Sequence, residues 1–389
     1  MTVKHARLLS IGFLGLVTAA GCVKAPSSRA DAMRAQPLDP LGEARLSLHW
    51  KFETADRKTE VEPQEFASAS VYADTLYVGS ASGWFFALRV SNGTVRWRKQ
   101  IGAVASAPLV GGTLYVGTLD GTLLALDAQT GAEKWRYQSR GPIEQMPVAT
   151  GDLIVFANEA DQVAAVDAVT GKFKWQYKTE TPEEYTLRGH AGIAVDGELI
   201  YTGFSNGTLA ALRRDTGSVA WSTSLKADAD RFMDVDATPL VLGDKIYASS
   251  SSGGVYALDK DTGLVRWRVP FWDAALPSST GNVGGITSDG KLLYVSVADL
   301  GTYAIDLGGN VVWRVGAKGG GEPAAPVVFD DVLVYSLAGD GMFVADRKTG
   351  ATLEYFQPGD GVSARPTITA DGRLFVMSNR GILYAFDLD

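Results

Sequence analysis

The stretch "RFMDVDATPL", residues 231–240, sets Asp234 and Asp236 two positions apart, just ahead of a proline and an apolar run. In an extended chain that spacing sends both carboxylates to one face. Such a pair can hold a cation, share acid–base work, or receive an arginine from another protein. The first two uses find little help elsewhere. The three histidines, His5, His49 and His190, are scattered, and none sits with carboxylates at metal-ligand spacing. No Gly-rich phosphate loop and no Ser-His-Asp arrangement stands out. The residues therefore predict a protein without catalytic residues, metal or cofactor, whose paired aspartates face a partner or cap their own backbone turn.

The elements that must position them come from a repeat. "GTLLALDAQTGAEKW" (121–135) recurs as "DQVAAVDAVTGKFKW" (161–175), "GTLAALRRDTGSVAW" (207–221) and "GGVYALDKDTGLVRW" (253–267). Weaker copies lie at 83–97, 301–313 and 341–354, and "GILYAFDLD" closes the sequence. Alternating apolar residues predict paired strands. The Asp and Thr-Gly pair predict a tight turn in which glycine takes a positive φ. Tryptophans at Trp97, Trp135, Trp175, Trp221, Trp267 and Trp313 mark one unit each, with Glu354 in the next such place and Trp50 ahead of the first unit. Each indole is expected to lie over a neighbouring unit's backbone. Units of four strands at this period predict an all-β, eight-bladed β-propeller over residues 45–389. The last copy lacks an outer strand and Trp50 has no inner strands before it, so residues 46–52 are expected to close the ring from the N-terminal side and hide its edges.

Composition agrees with a large core: 389 residues, 46% hydrophobic, 44 of them glycine. The formal charge of −8 argues against nucleic acid or an anionic membrane surface as the main partner. Lys4, His5 and Arg7 precede "LLSIGFLGLVTAA", too short to span a bilayer but suited to an export signal. The only cysteine, Cys22, follows Ala19-Ala20-Gly21. This resembles the lipobox of bacterial lipoproteins, with Ala19 where leucine is preferred, and implies removal of residues 1–21 and lipidation of Cys22. Residues 22–44, rich in Ala, Pro, Ser and Arg, then read as a flexible tether reaching on the order of 70 Å at full extension. An exported chain with no other cysteine has no disulfide use for this one.

Connector length singles out one region. The chain takes roughly nine residues to reach the next strand after Trp97 and Trp135, but about fifteen after Trp175, Trp221 and Trp267. Blade-to-blade connectors emerge on one face of a propeller, so these three are expected to build one raised patch. It carries Tyr185, Leu187, Arg188, Phe232, Met233, Phe271 and Trp272 among acidic residues. Apolar anchors in a charged surround suit a protein interface.

Two resemblances add to this reading. The Ala-x-Asp-x-x-Thr-Gly-x-x-x-Trp signature is similar to the tryptophan-docked blades of quinoprotein propellers. Their dehydrogenases hold pyrroloquinoline quinone and Ca²⁺, typically under a disulfide of adjacent cysteines, which this chain cannot form because its one cysteine is Cys22 at the N-terminus. "TLRGHA" (186–191) and "RFMDVDATP" (231–239) resemble segments of the BamB family, propeller lipoproteins of the outer-membrane β-barrel assembly machinery. That family carries Leu-x-Leu-Arg-Gly and Asp-Val-Asp there and uses them to dock on periplasmic POTRA domains of the barrel subunit. Leu187, Arg188, Asp234 and Asp236 match by type, and Tyr185 stands where the first leucine would be. The resemblance implies a non-enzymatic scaffold at the outer membrane, facing the periplasm and assisting nascent outer-membrane proteins. Its rivals are a quinone-dependent dehydrogenase and a generic periplasmic binding propeller.

Overall fold

The computed structural model describes residues 45–54, 65–104, 108–179, 191–226, 234–251, 253–271, 283–317, 321–359 and 361–388. These form 32 strands, β1 to β32, and no helix. They fall into eight four-stranded antiparallel sheets, as the repeat predicts. Seven blades are consecutive in sequence, at 70–100, 109–138, 148–178, 194–224, 240–269, 283–315 and 327–356. The eighth joins residues 367–388 to β1 (Leu46–Glu53), which pairs with β32 (Ile382–Leu388) from Leu46↔Leu388 to Glu53↔Ile382. The expected closure by an N-terminal strand is therefore observed. Signal, tether and Cys22 lie outside the described residues.

The signature has a register explanation. In seven blades the tryptophan stands directly opposite an alanine of the neighbouring strand: Ala87↔Trp97, Ala125↔Trp135, Ala165↔Trp175, Ala211↔Trp221, Ala257↔Trp267, Ala304↔Trp313 and Ala385↔Trp50. A β-bulge follows each pair, which twists the outer strand locally. Each indole reaches the next blade. Trp135 Nε1 donates to the Ala168 carbonyl at 3.1 Å, Trp221 Nε1 to Lys260 at 2.9 Å and Trp50 Nε1 to Val90 at 2.9 Å. The indole covers that blade's turn glycine so closely that a Cβ on Gly171 would stand 2.6 Å from Trp135. The turn is rigid for its own reason. Asp167 Oδ1 accepts from Thr170 N at 2.9 Å and from Thr170 Oγ1 at 2.8 Å, while Gly171 takes φ +68°.

The junction from blade seven to blade eight differs. The outer strand of blade eight is β1, so no hairpin turn joins it to β32 and no turn glycine waits for an indole. Glu354, opposite Val344 instead of an alanine, places Oε2 on the main-chain N–H groups of Arg45 and Leu46, the latter at 2.7 Å. A carboxylate thus docks where seven indoles dock elsewhere. Some innermost strands are short, Leu109–Val110 in blade two and Leu240–Leu242 in blade five. Pro108 and Pro239 carry no N–H to extend the ladder.

Candidate docking face

An antiparallel blade sends its second-to-third-strand turn and its connector to the next blade out of the same side. That side carries the long connectors 179–193, 225–239 and 270–282 after blades three, four and five. A fourth, 54–69 after β1, is as long but stands apart, between blades eight and one. Counting from tryptophan to strand within the repeats missed it because its tryptophan belongs to the closing strand. Tyr185, Leu187 and Arg188, with Phe232, Met233 and Trp272, lie outside the described residues. Phe271 packs inward, its ring 5.4 Å from Tyr303.

The Asp-Val-Asp segment is clamped across a blade boundary. Val235 is fully buried, its N–H donates to the Phe204 carbonyl of blade four at 3.3 Å, and it lies against the bare face of Gly203. On the other side Ser251 N donates to the Asp234 carbonyl at 3.0 Å and Ser251 Oγ to Asp236 Oδ2 at 3.2 Å. Asp234 is 1% exposed, whereas Asp236 is partly exposed. The structure therefore brings both aspartates onto the connector side, with one beneath the surface and one at it.

Their electrostatics are strained. Burial pushes the Asp236 carboxyl well above its ordinary range, and the neighbouring Asp234 carboxylate, then Glu159 and Asp161, push the same way against the Ser251 hydrogen bond. Glu159 and Asp161 come from the blade-three turn Asn158–Gln162. Asp161, at φ +54°, accepts from Ser205 N at 3.0 Å and from Ser205 Oγ in blade four. Sequence reasoning missed these two acids, although their turn faces the same side as the connectors. Among the described residues no group of three or more His, Cys, Asp or Glu is placed to hold a metal ion. Among the described residues no helix is long and apolar enough to cross a membrane.

Comparison with known proteins follows the same lines. The family profile described as "Outer membrane protein assembly factor BamB" matches residues 101–308. No curated protein sequence matches the chain. Among solved structures, the chain is similar to BamB from Moraxella catarrhalis, with TM-score 0.73 and 22% identity, over 88% of this chain and 100% of that one. It is also similar to the quinohemoprotein alcohol dehydrogenase of Comamonas testosteroni, with TM-score 0.69 and 15% identity over 92% and 79%. The computationally designed Ika8 protein gives TM-score 0.70 and 14% identity over 88% and 99%. An assembly factor, an enzyme and a design share this architecture, so those likenesses speak for the fold alone.

Proposed function

Because this chain belongs to the family of the outer membrane protein assembly factor BamB, we propose that it is a non-enzymatic scaffold of the β-barrel assembly complex. It is held at the outer membrane by a lipid on Cys22 and faces the periplasm. It docks on POTRA domains of the barrel subunit through the connector side. Asp236 receives a cationic side chain, Tyr185, Leu187 and Arg188 supply the neighbouring contacts, and Asp234 shapes the acidic field from below. Nascent outer-membrane proteins are its indirect clients. The observation that supports this reading is the Asp-Val-Asp segment itself. It is pinned by Phe204 and Ser251 and crowded by like charges that a partner's arginine would relieve.

Affinity purification from detergent-solubilised membranes, with identification of the co-purifying chains, tests it. The barrel subunit is expected among them. Its absence, together with a quinone absorbance that depends on Ca²⁺, would favour the dehydrogenase reading.

A further inference from the structure

The centre of the disc holds a second set of functional groups. Innermost strands of neighbouring blades touch one another around the axis, as 194–196 does with 240–242 and 327–329 with 367–368. The residue two positions before each inner-strand pairing can be aligned through the register, Thr367↔Phe375↔Ala385↔Trp50 matching Leu240↔Tyr247↔Ala257↔Trp267. That level comprises Arg365 with Ser68, Met146, Gly192, Thr238, Gly285 and Ala325. It is tight. A Cβ on Gly192 would collide with Thr238 Oγ1, and one on Gly285 would stand 2.7 Å from Ala325. Yet Arg365 and Thr238 are exposed between buried neighbours and Met146 is exposed beside buried Pro147, which just ahead of an innermost strand points to the central channel.

Among the described residues Arg365 is the one charged member of this level, and among them it has no hydrogen bond or ion pair. Protein surrounds it closely enough that burial lowers its pKa from the ordinary value. A guanidinium that faces the channel without a carboxylate beside it offers its donors to an anionic ligand. Two residues nearer the mouth, on the same inner segments, stand Asp236 before Thr238 and Glu144 before Met146. In an extended chain two residues span about 7 Å along the channel. From the connector side an anion meets the acidic level before Arg365. A molecule with an ammonium beside its carboxylate meets both.

We propose that the connector-side mouth of the channel binds a small zwitterion, a free amino acid or short peptide, with its carboxylate on Arg365 and its ammonium toward Asp236 and Glu144. The site lies in the channel and shares Asp236 with the rim docking, so the arm that separates the two is Arg365, which the docking does not use. The test is to follow the Arg365 Nε–Hε resonance of the intact protein, assigned by its loss in R365Q, during titration with glycylglycine, acetate and inorganic phosphate at constant ionic strength. Glycylglycine is expected to shift it saturably and more tightly than either anion. By calorimetry R365Q should weaken glycylglycine about tenfold or more, and R365K less. D236N should weaken glycylglycine but not acetate. An unmoved resonance overturns the site. Acetate or phosphate binding as tightly as glycylglycine overturns the zwitterion. Equal affinity in a folded R365Q overturns the role of Arg365.

Discussion

At Glu354 a carboxylate receives the main-chain N–H groups of Arg45 and Leu46, joining residues more than 300 positions apart. Glu354→Ala removes the acceptor and leaves two donors to water at the seam. The expected loss is about 2 kcal/mol, with faster hydrogen exchange confined to β1. Uniform exchange across all blades would contradict a local clasp. Asp236 carries a different signature. Its folded pKa is raised, so the native state binds its proton more readily than the unfolded chain does. The stability this proton contributes is present below the unfolded carboxyl pKa and is lost as pH rises through the folded one. Asp236→Asn removes the charge, so it should raise the melting temperature at neutral pH and lose that advantage toward pH 4. An equal gain at both pH values would show that crowding of carboxylates is not the cause.

The blade junction is the next scale. Gly171 and Gly151 share a positive φ, +68° and +60°, but only Gly171 lies under an indole, and nothing stands within 4 Å of a Cβ on Gly151. Gly151→Ala therefore carries backbone strain alone, about 1 kcal/mol. Gly171→Ala adds displacement of Trp135 and should cost about 2–3 kcal/mol. Equal losses in denaturant unfolding would mean that the indole is not a spacer. This scale was the most legible in the sequence. The turn glycine, the facing alanine and the tryptophan sit within fifteen residues of one another and repeat, so local spacing exposes a contact that is itself between blades. Glu354 was opaque for the opposite reason. It breaks the repeat, and its partners are reached only once the ring has closed. The Asp-Val-Asp segment was half legible. Spacing put both carboxylates on one side, but the burial of Asp234 depends on Phe204 and Ser251, which no local pattern names.

For the whole molecule, closure decides solubility. Without residues 46–53, β32 presents an unpaired edge and the Trp50 docking on blade one is lost. That deletion is expected to give oligomers in size-exclusion chromatography where the complete chain runs as a single species. A monodisperse truncated protein would contradict closure by β1. The closed disc also bears on the proposed docking, because a rigid ring fixes the points at which the connectors of separate blades leave and rejoin it. The direct test of that docking is the affinity of purified POTRA domains for the intact protein, for Arg188→Glu and for Asp236→Arg. The account predicts that each charge reversal weakens binding about tenfold or more while the fold persists. Undiminished binding by both variants would contradict it.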